Sequence, residues 1–401
     1  MRIAIVHPWF LAKGGAEQVV EVLAELYPSA DIFTLFFNEK DLPDNLRGRN
    51  IHALALNWLP AKYKLYRSML PFYPLMFESL DLRDYDVVIS SDSCVTKGIL
   101  INQNAIHVCY CHSPMRCLWD LHREFREELP AIARPIFTLA THYVRQWDFS
   151  AAKRVDDFVA NSQNVAQRIS KFYGRESTVI YPPVNTLKGF ISPTTDDYYL
   201  SVGRLTNVKK IDLLIKACNQ LKRRLIVAGA GREAANLKAI AGPTVEFAGR
   251  VSETGLQNLY ANCRALLFAA DEDFGIVPVE AQSYGRPVIA YGRGGALETI
   301  IPLGNSEGKQ PTGVLFPEQT ESSVKEAILA FEHNESRFIP AVACRNARAF
   351  DTSVFARNIL DLVESATANW SDSQASVPGK SALFPPAEVD KNVLADRQVA
   401  G

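Results

Sequence analysis

Short apolar runs alternate along this chain with stretches whose apolar residues recur at helical spacing. In the first half, Ile3–Val6, Asp31–Phe37, Tyr85–Ser90, His107–Cys111 and Val155–Asn161 read as strands, the last of them closing that half. Between them, Val19, Val20, Val22, Leu23 and Leu26 put one apolar face on a helix over Ala16–Leu26, and further helices are predicted over 130–150 and Val165–Phe172. Tyr181-Pro182-Pro183-Val184 and the polar stretch Ser192–Asp197 interrupt the pattern as a stiff connection. It then restarts, with strands over Tyr198–Val202, Leu225–Ala228, Val245–Ala248, Ala265–Ala270 and Pro287–Tyr291, and a helix over Ile211–Leu221. Strands that are apolar on both faces and separated by helices build parallel sheets covered on both sides. The fold class expected is therefore α/β. Phe338–Glu364 reads as helical, and after Trp370 the periodicity is lost in Ser, Pro, Ala, Lys and Asp, the composition of a disordered tail.

The second half concentrates its chemistry between Ala265 and Thr299. An apolar strand stops at Asp271-Glu272-Asp273, Phe274-Gly275 follows, and a helix begins near Val277 with Pro278 in its first turn. Gly285-Arg286-Pro287 ends that helix, and the next strand runs into Gly292-Arg293-Gly294-Gly295, where another helix is expected. Open α/β sheets take ligands at the carboxyl ends of their strands, and helix N-termini there suit phosphate or a polarised hydroxyl. Glu272 and Glu280 flank the first loop, and carboxylates accept hydrogen bonds from vicinal sugar hydroxyls. A nucleotide-sugar cradle is one reading; two carboxylates favoured by a helix dipole is the other.

Further candidates lie at other strand ends. Gly14-Gly15 opens the first helix. Arg204 and Lys209 flank one loop, where a planar fork and a point charge suit a diphosphate. Positive charge at a helix start opposes the dipole, which favours a ligand role over simple surface charge. Gly229-x-Gly231-x-x-Ala234 supports a rival reading as a dinucleotide oxidoreductase, but no acidic residue clearly ends the next strand. Leu54–Phe77 interleaves aromatic residues with Lys62, Lys64 and Arg67, as in a segment resting on anionic lipid; a core helix pair with snorkelling basic residues is the alternative.

Composition excludes more than it selects. The chain has 401 residues, 47% hydrophobic and 22% charged, with a formal net charge of -1, which gives no case for nucleic acid. No apolar run spans a bilayer, and the first strand is too short for a secretory signal. Seven cysteines without a C-x-x-C fit free thiols in a reducing compartment. Cys109, Cys111 and Cys117 lie beside His112, with spacing poorly suited to zinc.

E-D-F-G-I-V-P-V-E, from Glu272 to Glu280, is similar to the signature of glycosyltransferase family 4. So is G-R-L-x-x-x-K from Gly203 to Lys209, and so is H-S-P-M-R from His112 to Arg116. The resemblance covers roughly residues 1–367 and implies a retaining enzyme of GT-B fold, two Rossmann-like domains facing each other across a cleft. It implies an acceptor domain over 1–182, a nucleotide-sugar domain over 183–350 and a helix over 351–367 crossing back to the first domain; the tail expected to be disordered, from 371 to 401, lies beyond it. It sets His112 beside the transferred sugar and Arg204 and Lys209 on the pyrophosphate. Arg250 and Val251 fall against the base. Glu272, Phe274, Gly275 and Ile276 fall at the sugar and phosphate, Glu280 at the ribose, and Gly14 and Gly15 in a loop facing the cleft. Catalysis is then expected of His112, Glu272, Arg204 and Lys209, without metal or cofactor; Asp271-Glu272-Asp273 spells D-x-D by accident. Within the family the chain most resembles bacterial mannosyltransferases of polysaccharide and O-antigen assembly. That implies GDP-mannose as donor, a lipid-linked or saccharide acceptor, and a cytoplasmic location on the inner face of the plasma membrane. UDP-sugars, and a sugar-nucleotide epimerase of the same fold, are the alternatives.

Overall fold

The computed structural model describes residues 1–11, 14–40, 42–58, 68–375, 384 and 387–390. The chain divides into two compact units, Met1–Pro183 with Phe355–Gly401, and Val184–Val354.

The first unit is built on β1 (Ile3–Phe10), β2 (Asp31–Phe37), β3 (Ile51–Ala53), β4 (Val87–Asp92), β5 (Ile106–Cys111), β6 (Asp157–Ala160) and β7 (Thr178–Val179). They form one sheet in the order β3-β2-β1-β4-β5-β6-β7, and every pairing is parallel. Side chains alternate across it. Ile3 and Ile5 enter a core with Val19, Leu23 and Leu26 of the helix Gly15–Leu26, while Ala4 and Val6 enter the core on the other face. Phe355, Ile359 and Val363 of the last helix, Thr352–Ala375, complete the first of these cores.

Several expectations shift here. β1 runs past Val6 to Phe10, because His7 and Trp9 pair with Thr34 and Phe36 of β2. β7 lies beyond the strand expected to be last; two residues carry no readable period. The stretch after Leu54 forms the short turns Ala55–Trp58 and Leu70–Phe72 and the helix Tyr73–Glu78, with Tyr73 and Phe77 buried. Lys62, Lys64 and Arg67 lie outside the described residues.

The second unit carries β8 (Tyr199–Val202), β9 (Leu225–Ala228), β10 (Val245–Gly249), β11 (Ala265–Phe268), β12 (Val288–Tyr291) and β13 (Gly313–Phe316). Their order is β10-β9-β8-β11-β12-β13, again all parallel. β13 and the helices Glu253–Asn262 and Glu321–His333 add to the pattern read from sequence. The helix expected over Phe338–Glu364 is two helices, Pro340–Arg348 and Thr352–Ala375. Asp351 interrupts them by bridging to Val184 and accepting from the Thr186 hydroxyl at 2.6 Å. The tail expected to be disordered from 371 is helical through Ala375, and Phe384, Ala387 and Val389 pack on the first core; the rest of it lies outside the described residues.

Candidate active site

In each sheet the first strand sits in the interior, so the chain leaves it toward one side and later fills the other. The carboxyl ends on either side of that reversal border a crevice. In the second unit the reversal falls between β8 and β11. The loop after β8 carries Arg204 and Lys209, and the loop after β11 carries Glu272. The Lys209 ammonium is in ion-pair contact with the Glu272 carboxylate across the reversal. Burial, with Arg204 nearby, pulls Lys209 down to about 8; the Glu272 carboxylate acts in the opposite sense. Arg204 and Arg250 are exposed and Val251 half-buried.

Glycines let the loops of this rim press together. A Cβ on Gly229 would meet the Gly203 carbonyl oxygen at 1.9 Å, and one on Gly231 would meet that of Leu205 at 2.2 Å. The G-x-G-x-x-A pattern is thus required by the fit of the β9 loop under the β8 loop, which removes its weight as a dinucleotide signal. Likewise a Cβ on Gly294 would meet the Glu272 carbonyl oxygen at 2.1 Å, and Gly295 donates its N–H to that oxygen at 2.9 Å. The helix expected after these glycines is short, Ala296–Thr299, so its macrodipole is slight and the glycines serve the packing of loop on loop.

The helix Ile276–Ser283 begins as the spacing predicted. Gly275, at φ 85°, turns the chain into it, and no side chain caps its N-terminus. The first N–H groups, from Ile276 onward, face the strand ends with the positive end of the helix. Phe274 is buried, its ring 5.5 Å from and edge-on to Phe350, so it anchors the turn. Glu280 lies farther along the helix, where Tyr260 donates to its Oε2 at 2.7 Å. Burial raises the Glu280 carboxyl, and the tyrosine hydrogen bond opposes that.

In the first unit the reversal falls between β1 and β4. Ser91 Oγ stands 3.1 Å from His7 Nδ1 and 2.8 Å from His112 Nε2, joining the middle of β1 to the carboxyl ends of β4 and β5. The His112 N–H donates to the Asp92 carbonyl at 2.8 Å, and the imidazole lies edge-on to Tyr110 at 5.1 Å. Burial lowers His112 to about 4 and His7 to about 3, so both are neutral at ordinary pH. Gly14 caps the helix Gly15–Leu26 in extended conformation, which any residue adopts, and is exposed.

Beneath this row lies a group that spacing did not bring together. Lys97, fully buried, reaches Asp92 Oδ2 at 3.1 Å and Asp148 Oδ1 at 2.5 Å, and both carboxylates are equally buried. Thr96 donates to Asp92 at 2.8 Å, and Trp119 and Tyr173 donate to Asp148 Oδ2 at 2.8 and 2.9 Å. The sequence reading put Lys97 on a helix; it sits in the single turn Thr96–Gly98. Asp92 and Lys97 are five residues apart, a spacing no helix or strand period flags. Thr96 also donates to the Ser91 carbonyl at 3.1 Å, so the buried charges hold the strand end that presents Ser91. All seven cysteines are free, and no cluster among the described residues could hold a metal.

The family model for "Glycosyltransferase Family 4" matches residues 13–187, and that for "Glycosyl transferases group 1" matches 187–348. Among characterised proteins, the chain is 24% identical to the alpha-1,3/1,6-mannosyltransferase ALG2 of Kluyveromyces lactis, over 84% of this chain and 79% of that one. It is 26% identical to the human ALG2, over 61% and 66%, and 25% identical to a D-inositol 3-phosphate glycosyltransferase of Kineococcus radiotolerans, over 56% and 60%. Among solved structures it resembles Anabaena HepE in complex with UDP, with a TM-score of 0.64 and 18% identity over 91% and 100% of the two chains. The mannosyltransferases named here are eukaryotic, whereas the resemblance read from sequence pointed to bacterial O-antigen enzymes.

Proposed function

We propose, for a chain that is a glycosyltransferase of family 4 with the GT-B fold, that it moves a mannosyl residue from GDP-mannose to a lipid-linked or saccharide acceptor in the assembly of a cell-surface polysaccharide. The mannosyl choice is supported by the similarity to ALG2 along most of the chain. The observation that carries the donor site is the pairing of Lys209 with Glu272 at the strand reversal, next to an uncapped helix N-terminus. That arrangement supplies two cations, Arg204 and Lys209, and free amides for a diphosphate, with a carboxylate beside them for sugar hydroxyls.

In the reaction the bond from the anomeric carbon to the donor phosphate breaks and a bond to the acceptor oxygen forms on the same face. The acceptor proton passes to the leaving phosphate oxygen. Arg204, Lys209 and the amides from Gly275 and Ile276 stabilise the charge that grows on that phosphate. Glu280 holds the ribose, and the backbone of Arg250 and Val251 borders the base. His112, neutral, and the loop at Gly14 and Gly15 serve the sugar and the acceptor. The enzyme works at the cytoplasmic side of a membrane to which it adheres peripherally.

The test incubates the purified protein with GDP-mannose, UDP-glucose, UDP-N-acetylglucosamine and NAD, with and without EDTA, and follows thermal stabilisation and acceptor-dependent nucleotide release. Stabilisation by GDP-mannose and release that survives EDTA are expected. Preference for a UDP-sugar moves the donor assignment. Isomerised donor without acceptor makes the protein an epimerase, and tight NAD binding restores the oxidoreductase reading. Loss of activity with EDTA and recovery with manganese would remove Arg204 and Lys209 from their role in place of a metal.

A further inference from the structure

The Ser91 hydroxyl has one proton and two imidazoles beside it. Its Oγ lies 3.1 Å from His7 Nδ1 and 2.8 Å from His112 Nε2, and it has no other partner among the described residues. Ser91 is fully buried, so bulk water does not complete its bonding. Burial keeps both rings neutral, His7 at about 3 and His112 at about 4. Each ring therefore has one N–H and one lone pair. Two arrangements satisfy all three groups. In the first, His7 donates from Nδ1 to the serine oxygen and the serine hydroxyl donates to His112 Nε2, which leaves the His112 proton on Nδ1. In the second, both bonds are reversed and His112 carries its proton on Nε2. The remaining combinations either strand the buried hydroxyl proton or set a ring lone pair against an oxygen lone pair, and a buried orphan is costly. The proton positions of two histidines far apart in sequence are thus tied to each other.

Distance selects the first arrangement. A hydroxyl donor spans about 2.5–3.0 Å and an N–H donor about 2.7–3.2 Å. The 2.8 Å contact with His112 suits the serine as donor, whereas the 3.1 Å contact with His7 is beyond that reach and ordinary for a ring N–H. Hydrogen bonding to the backbone of Trp9 and Ser91 acts in the same sense, since it favours protons on the His7 ring against the pull of burial. The Asp92 carboxylate does not decide the matter. Lys97 and Thr96 hold that group, and His112 meets the Asp92 main-chain carbonyl through its own backbone N–H. We propose that His7 is a positioning residue for sugar transfer: acting through Ser91, it keeps the proton of His112 on Nδ1, so that the half-buried imidazole offers the substrate a hydrogen-bond donor. The inference rests on the proposed function for the place of His112 beside the sugar. It gives that ring a sense, as donor to a hydroxyl oxygen of the transferred sugar or the acceptor.

The test grows the full chain with isotope-labelled histidine and reads the tautomers of its seven histidines by long-range proton–nitrogen correlation at neutral pH. The signals lost in His112→Gln and in His7→Asn assign the two rings. Wild type should carry the proton on Nδ1 in both. His7→Leu removes the donor to Ser91, and His112 should shift toward the Nε2–H form that free histidine prefers. His7→Asn sets an amide N–H where Nδ1 stood and should keep His112 in its wild-type form. In parallel, His7→Leu should slow transfer about five- to tenfold with GDP affinity unchanged, and His7→Asn should recover most of the rate. A wild-type His112 protonated on Nε2 overturns the inference whether or not the variants fold, as does a His112 tautomer that His7→Leu leaves as it was. Equal loss of turnover in His7→Leu and His7→Asn also overturns it and makes His7 a packing residue. The spectra need neither donor nor acceptor, so absence of sugar transfer by wild type would sink the proposed function and leave the proton order from His7 to His112 standing.

Discussion

The hydroxyl of Ser91 stands 2.8 Å from Nε2 of His112, so the nitrogen of that imidazole left for a ligand is Nδ1. Ser91 is fully buried and also meets His7. Replacing it frees the ring to rotate. His112→Ala should bind the nucleoside diphosphate nearly as wild type does and transfer sugar far more slowly, and Ser91→Ala should shift both in the same directions by less. Calorimetry and a transfer assay on the same preparations check this. Loss of nucleotide affinity in His112→Ala, or full turnover, removes His112 from the sugar.

Glu280 and Glu272 should separate in the same assays. With Glu280 at the ribose as proposed, Glu280→Ala removes that acceptor and should weaken nucleoside diphosphate binding about ten- to a hundredfold, the worth of about 1.5–3 kcal/mol for such a bond. Glu272→Ala releases Lys209 from its ion pair, so diphosphate affinity should hold or rise while transfer falls. Weakened diphosphate binding by Glu272→Ala would place that carboxylate on the nucleotide instead.

Lys97 neutralises two buried carboxylates at once. Lys97→Met leaves Asp92 and Asp148 facing each other without a cation, and breaking a buried pair in this way costs about 3–5 kcal/mol. Urea denaturation should show that loss. Adding Asp92→Asn should recover part of it, because the remaining Asp148 keeps Trp119 and Tyr173 as donors.

Stability should fall on mild acidification. His7 and His107, each 1% exposed, are both lowered by burial to about 3. The folded protein keeps them neutral, while the unfolded chain takes up protons below about pH 6.5. Their contribution is complete above that pH and is lost as pH falls toward 3, by up to about 1.4 kcal/mol per pH unit for each. Denaturation midpoints between pH 7 and 5 should decrease, and His107→Gln should flatten the slope. A slope unchanged by that variant would mean that carboxylates, not this histidine, carry the acid sensitivity.

How much of this was legible beforehand depends on whether a residue acts through its own period or through the fold. The helix Ile211–Leu221 and the strands Asp31–Phe37 and Leu225–Ala228 lie where the apolar spacing put them, because each buries a regular face. The helix at Ile276 was legible from Gly275, Pro278 and the strand before it. β7 was not, since two residues have no period. In the site, Arg204, Lys209, Glu272 and Glu280 could be named from motif and strand-end position. That Lys209 and Glu272 touch could not, because their contact follows from the strand order β8-β11. The Ser91 bridge depends in the same way on β1, β4 and β5 being neighbours. The glycines of Gly229-x-Gly231 left a rival reading open because close backbone packing and phosphate approach require the same residue.

That packing bears on any attempt to redirect the enzyme to another donor. Gly229 donates its N–H to the Gly249 carbonyl at 2.7 Å, Gly203 donates to Ala228 at 3.0 Å, and Gly295 donates to Glu272 at 2.9 Å. Loops of the rim are therefore moulded against their neighbours through the main chain, and the Lys209–Glu272 ion pair adds a side-chain tie across the reversal. Grafting a single loop from a homologue would import a shape cut for different neighbours. Altered specificity is reached instead by exchanging the whole rim as one cassette, or by changing side chains such as Arg250 that stand clear of it.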